Sequence, residues 1–411
     1  GADVLIEDGV VAEVGTSVRA RGAETIDASN AIVMPGFVDG HRHLWHSLFR
    51  NAGRFGGEGS AEALGPHHTP DHVYAATLIG LLGAASAGIT TVVDWADLPS
   101  EGGFVEAALQ AHADAGLHGV IVAAPGAWGG DVRDIDRIRQ IAAGAAGEDR
   151  RVAFGATDPH DPLAAGDEWA AARAAGLRIH ARVGVDPATT GVAAGLAAAS
   201  LLGSDVTLVH CTSADDADLE AIASTGTGVV ITPSMEMTAG IGSPPLQGFI
   251  DRNIRPGLGV GSEVEAPGDI FAQMRAANSV QHATVFDLKL AGKGGIPNLL
   301  NTRQVLRYAT IDGAAAVGLG DTTGSLSPGK RADVIVLRTD LPNIAPVNDP
   351  IGAVVWGMDG ANIDWVFAGG RAVVAHGEPS ADVGRARDLA MRAHQDVARA
   401  AGLLVDTGAE R

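Results

Sequence analysis

The apolar positions change rhythm along the chain. Residues 1–34 carry short apolar runs separated by turn residues. Val4-Leu5-Ile6 and Val10-Val11-Ala12-Glu13-Val14 flank Asp8-Gly9, a dipeptide that favours a tight hairpin turn. From about 35 to 325, short apolar runs alternate with Ala-rich stretches, a pattern that predicts βα units and a parallel sheet. The strands fall at 36–41, 89–94, 119–124, 152–157, 177–182, 206–210, 228–232 and 257–262. Helices are predicted at 70–87, 104–115 and 214–225. Pro70 suits a first helical turn, Gly88 suits a stop, and acidic residues near 215 favour a helix N-terminus. Beyond 325 the β-rich runs return at 333–337, 352–356 and 363–367, and again after Gly369-Gly370 at 372–374. Residues 380–401 read as an amphipathic helix. The Gly-rich segment 50–68 lacks periodicity and reads as a mobile loop over one end of the barrel.

Eight strands with intervening helices predict an α/β protein, a (β/α)8 TIM barrel, with a small β-sandwich formed by both chain ends. The expected division is 1–34 and 326–379 for the composite sandwich, 35–325 for the barrel and 380–411 for a C-terminal helical extension. A length of 411 residues fits that arrangement.

Composition narrows the function. The net charge of −20 argues against nucleic acid, which needs clustered Lys and Arg, and against anionic membrane surfaces. One cysteine, Cys211, excludes an internal disulfide and a thiolate-built zinc site, and reads as a small core residue. No apolar run reaches the ~20 residues of a membrane span. No secretory signal opens the sequence, so a cytoplasmic location is the expectation.

The candidate chemistry sits at strand ends. Strand one closes on His41-Arg42-His43, and alternate strand residues share a face, so both imidazoles can point into the barrel. Strand five closes on His180 and strand six on His210. A buried imidazole without a partner is costly, and four at one barrel mouth read as a metal site rather than as polar core. Strand eight closes on Glu263, read either as a metal ligand or as the base for a metal-activated water. Trp45, His46 and Trp95 are expected to line the pocket. Arg182 reads either as a contact for an anionic substrate group or as a structural ion pair. His67, His68 and His160 lie in predicted loops and read as surface residues.

Pro35-Gly36-Phe37-Val38-Asp39-Gly40-His41-Arg42-His43 and Gly324-Ser325-Leu326-Ser327-Pro328-Gly329-Lys330-Arg331-Ala332-Asp333-Val334-Ile335-Val336 resemble the opening and closing signatures of the amidohydrolase superfamily. The likeness is to the branch holding cytosine deaminase, S-adenosylhomocysteine deaminase and the triazine hydrolases. It covers nearly the whole chain. The resemblance implies metal ligation by His41, His43 and His180, with His210 orienting or ligating near the attacking water and Glu263 at the position of a customary Asp. It also implies one divalent metal ion, Zn²⁺ or Fe²⁺, a small-molecule substrate and a homo-oligomer.

Three departures from the pattern matter. Glu263 is one methylene longer than Asp. Val183 stands where deaminases of the branch carry a Glu that shuttles a proton. Strand seven leads into Pro233-Ser234-Met235-Glu236-Met237 instead of an Asn-rich turn, so Glu236 either replaces the missing acid or serves the helix start. A carboxylated lysine bridging two metals is unavailable, because no lysine precedes Lys289. The expected activity is hydrolysis by a metal-activated water at an electrophilic carbon of a nitrogen heterocycle, cyclic amide or amidine. The alternative is a barrel of this fold that binds metal or small molecules without turnover.

Overall fold

The structure is a computed structural model. It describes residues 1–52, 61–99, 101–126, 135–145, 150–157, 162–186 and 189–403. His160 and residues 53–60 of the Gly-rich segment lie outside the described residues.

The chain opens with a hairpin, β1 (Asp3–Glu7) and β2 (Val10–Gly15), which pair antiparallel around Asp8-Gly9. Both turn residues hold positive φ, the twist such hairpins demand. β3 (Ala31–Pro35) then leads directly into the barrel.

Eight parallel strands follow in sequential order: β4 (Phe37–Arg42), β5 (Ile89–Ala96), β6 (His118–Ala123), β7 (Arg150–Thr157), β8 (Ile179–Val183), β9 (Val206–His210), β10 (Gly228–Ile231) and β11 (Gly257–Leu258). The order is that expected for a TIM-like barrel, and it is nearly closed. β11 is shorter than the predicted strand eight because the chain beyond Leu258 trades ladder pairing for single bonds to strand one. Gly261 N–H donates to His41 O, and His43 N–H donates to Gly261 O. Gly259 permits this seam. A Cβ there would lie 2.7 Å from His41 O and 2.8 Å from His41 N. Asp39 ties the same seam, accepting from Val260 N–H at 3.0 Å while Arg42 Nε lies 2.9 Å from its other oxygen. Burial pushes the Asp39 carboxyl up to about 6, against the opposing pull of Arg42.

Two apolar layers follow from strand alternation. Ile179, Ala181 and Val183 pack outward with helix residues such as Leu78, Trp169 and Phe271. Val93, Trp95, Val120, Val122 and Val230 face the other way and fill the barrel with Ala314, Ala316 and Leu319.

The remaining strands are β12 (Val334–Arg338), β13 (Ile363–Ala368), β14 (Arg371–Ala375) and β15 (Glu378–Pro379). With β3 they form a five-stranded antiparallel sheet in the order β15-β14-β13-β12-β3. The sheet therefore draws on both chain ends, and the hairpin abuts it through Val10 and Arg331.

One predicted strand is a helix instead. Residues 352–356 fall in the turn Pro350–Gly352 and its continuation Ala353–Gly357. Asp349 explains the difference: its carboxylate accepts from Ile351 N–H and Gly352 N–H, and Pro350 sits in the first helical turn. The apolar run Ala353-Val354-Val355 carried no sign of that cap. The terminal helix spans Val383–Ala400 and packs on the helix Pro70–Ser86. No helix of the described residues is long and apolar enough to cross a membrane.

Candidate metal centre

Strand one delivers its histidines into a ring of aromatics. His41 is fully buried. Its ring lies 5.0 Å from His43, 5.2 Å from His210 and 5.3 Å from Trp95, edge on to each. His180 is also fully buried, and its field reaches His41. Neither ring nitrogen of His41 or of His180 has a hydrogen-bond partner among the described residues. Burial lowers the His41 pKa far below its usual value, and the neighbouring His43 lowers it further. Burial takes His180 down to about 3, helped by Arg178. Both rings are therefore neutral at physiological pH, the form that binds metals.

An imidazole buried with a bare N–H costs roughly 1–3 kcal/mol. A metal ion on the lone-pair nitrogen is the usual return on such an arrangement. The donor chemistry thus fits a divalent ion held by nitrogen ligands.

The other two histidines are oriented by carboxylates. His43 donates from Nδ1 to Asp97 Oδ1 at 3.2 Å, and Trp45 Nε1–H donates to the same oxygen at 2.5 Å. Burial alone would raise Asp97, but His43 and the hydrogen bonds more than offset it and hold its carboxyl at about 2. His210 Nδ1 lies 3.0 Å from Glu236 Oε1, which also accepts from Thr232 N–H at 2.8 Å. With Nδ1 of each ring turned to a carboxylate, further chemistry on each ring falls to Nε2.

His210 and Cys211 both hold positive φ, 77° and 58°. Neither is a residue that adopts this region freely, and consecutive strained residues mark a functional turn. Cys211 itself is buried, and burial pushes its thiol pKa up, in keeping with a core role.

Glu236 sits at the start of the helix Pro233–Ala239, fully buried. Burial pushes its carboxyl up to about 8, against the two bonds from Thr232. Its Oε2 meets no hydrogen-bond partner among the described residues.

Glu263 stands apart from this group. Ser47 Oγ–H donates to its Oε2 at 2.5 Å and Arg50 reaches the same oxygen at 2.9 Å. The strand-eight carboxylate is thus bonded to the turn Leu44–Phe49 and to Arg50 just after it. Gly80 allows that turn to lie close to the helix Pro70–Ser86, since a Cβ there would approach Ser47 Oγ to 2.5 Å.

Of the pocket candidates, Trp45 and Trp95 are buried as expected, and Trp95 stands against His41 and His43. His46 stacks on His43 with centroids 4.7 Å apart and bonds Ser262 Oγ through Nδ1 at 3.0 Å. Arg182 is part-buried beside His180 on β8. His68 differs from its expected surface role. It is buried, its Nδ1 bonds Leu64 O at 3.0 Å, and its ring packs on Trp45. The turns Ala61–Leu64 and Gly65–His67 give that segment the structure its sequence did not reveal.

Sequence reasoning missed Asp97. It lies two residues beyond Trp95, so strand alternation offered the signal. Together His43, His46 and Asp97 present ligand atoms all within 4.8 Å of one another. The His41, His43 and His180 donors do not form so compact a group among the described residues. Replacing Asp97 with Asn is expected to weaken metal affinity ~10- to 100-fold through loss of His43 orientation, read by competitive chelator titration.

A model of the amidohydrolase family matches residues 32–373. A 5'-deoxyadenosine deaminase of Methanothermobacter thermautotrophicus is 28% identical, over 91% of this chain and 90% of its own. A 5-methylthioadenosine/S-adenosylhomocysteine deaminase of Pyrococcus furiosus is 24% identical, over 92% and 91%. Among solved structures, an adenosine deaminase from Xanthomonas campestris with bound zinc superposes with a TM-score of 0.83. It is 18% identical and covers 97% of this chain and 94% of its own. Atrazine chlorohydrolase from Arthrobacter aurescens, complexed with zinc, gives 0.81 at 21% identity, with 96% and 95% coverage. The family match spans most of the sequence, and the chain belongs to the amidohydrolase family.

Proposed function

We propose that the protein hydrolyses a carbon–nitrogen bond in a nitrogen heterocycle, cyclic amide or amidine, with one zinc ion held by His41, His43 and His180. The reading rests on one observation: two neutral, fully buried imidazoles at one barrel end whose ring nitrogens no described residue satisfies.

A divalent ion in this position supplies an acidified water nucleophile at neutral pH and Lewis-acid polarisation of the substrate. The remaining work belongs to the chain. His210 accepts the nucleophile's proton at Nε2, because Glu236 holds its Nδ1–H. Glu236 is a positioning residue: it fixes the His210 tautomer and is itself fixed by Thr232. Trp95 walls the site and excludes water beside His41. Glu263 clamps the turn that carries Trp45 and His46.

The proton shuttle of related deaminases has no counterpart at Val183, whose side chain packs outward among aliphatics. Ring opening of a cyclic amide, which places less demand on such a shuttle, is therefore favoured over deamination. The deaminases among the relatives make aminopurine nucleosides the necessary comparison substrates.

The test joins metal analysis to a product screen. The proposal expects one equivalent of zinc and Zn-dependent turnover of cyclic amides or aminoheterocycles. Stoichiometric zinc with no turnover across both panels would contradict it and favour a binding role. A separate expectation concerns Glu263. Glu263→Gln should keep full metal content and lower Tm by several degrees, because Arg50 loses its charged partner. Loss of metal from that variant would return Glu263 to the ligand set.

A further inference from the structure

Arg182 is a cation with no ion-pair partner among the described residues. On β8 the outward layer takes Ile179, Ala181 and Val183, so His180 and Arg182 share the inward face, Arg182 one step nearer the strand's end. Its charge is among those acting on His41 and His46. Its Nε is buried and has no hydrogen-bond partner among the described residues.

The nearby carboxylates are already committed. Asp97 serves His43 and Trp45. Glu236 serves His210 and Thr232. Glu263 serves Ser47 and Arg50. None of them pairs with Arg182. A part-buried guanidinium without an acid is costly, and the cost rises beside a divalent cation. A second orphan donor lies in the inward layer: the Trp95 indole N–H is fully buried, lacks a partner among the described residues, and belongs to the ring that packs on His41.

We propose that Arg182, assisted by the Trp95 indole N–H, binds a carboxylate borne by the substrate, so that the substrate class is a ring acid: a nitrogen heterocycle or cyclic amide carrying a carboxylate. The inference rests on the hydrolase reading above and deepens it. The planar guanidinium fork matches a carboxylate in two parallel hydrogen bonds, and the pairing orients the ring toward the metal.

The test is calorimetric binding to the full-length, zinc-loaded protein. The probes are orotate, imidazole-4-carboxylate and hydantoin-5-acetate, each measured against its own carboxamide. At least one acid is expected to bind ~10- to 100-fold more tightly than its amide, the ratio that corresponds to a charge-assisted hydrogen bond. Arg182→Met should abolish that preference, and Arg182→Lys should reduce it, since an ammonium keeps the charge but loses the fork. Circular dichroism and zinc content establish that each variant is folded. If the Met variant fails to fold, the Lys variant and the loss of preference at high salt carry the test. No acid preferred over its amide in the wild type, or a preference that survives both substitutions, overturns the proposal. Acid-selective binding without turnover of any ring removes the hydrolase reading and leaves this one. Turnover of neutral rings with no acid preference does the reverse.

Discussion

Replacing His41 with alanine is expected to empty the protein of zinc and to lower kcat/KM by at least about 10³-fold. A metal that activates water and polarises the substrate supplies several kcal/mol of transition-state stabilisation, and each 1.36 kcal/mol is a factor of ten. His41 is the most central of the imidazoles, touching His43, His210 and Trp95 at once. His180→Ala should behave alike, since His180 shares its burial and its unsatisfied nitrogens. Thermal stability gives a readout independent of turnover. Zinc at 1,000 times its Kd should raise the wild type's stability by about 4 kcal/mol by linkage, and should leave both variants unmoved. A variant that keeps one equivalent of zinc, or a wild type whose Tm ignores zinc, contradicts this assignment.

The second large effect concerns Glu236. Glu236→Gln is nearly isosteric and preserves an oxygen to accept from Thr232 N–H. It removes the carboxylate that holds His210 at Nδ1. The same Oε1 serves Thr232 N–H and His210 Nδ1, so the amide keeps that acceptor but loses the charge that stabilises the His210 ring once Nε2 takes a proton. By analogy with triad carboxylates, kcat should fall ~10²- to 10⁴-fold with KM little changed. Glu236→Asp should recover part of the loss if the carboxylate acts by orienting the ring. A merely structural role predicts instead that kcat follows Tm across Gln, Asp and Ala variants. Stopped assays at matched folded fraction separate the two.

Much of this was readable from the chain because the signals were local. A β-strand shows its period within a few residues, so Val206–His210 and the helix Phe104–Ala115 fall where the pattern put them. His41 and His210 likewise fall at the ends of β4 and β9, whereas His180, expected to close strand five, is the second residue of β8. What escaped was set by tertiary neighbours. Asp97 looked like any acid after a strand until His43 and Trp45 converged on one of its oxygens. The pattern puts Glu263 at the end of strand eight, yet β11 stops at Leu258 and the chain turns at Gly261, whose φ is +74°. Only the meeting of Ser47 and Arg50 on that carboxylate reveals its commitment. The strand expected at 352–356 failed for a related reason. A cap three residues upstream outweighed the β preference of two valines.

Anomalous diffraction at the zinc edge, on crystals of the zinc-replete protein, examines the core of the account most directly. The prediction is a single peak per chain with nitrogen ligands from His41, His43 and His180, and with His210 and Glu236 paired beside it. A peak seated instead between His43, His46 and Asp97, with His41 and His180 left bare, would contradict it.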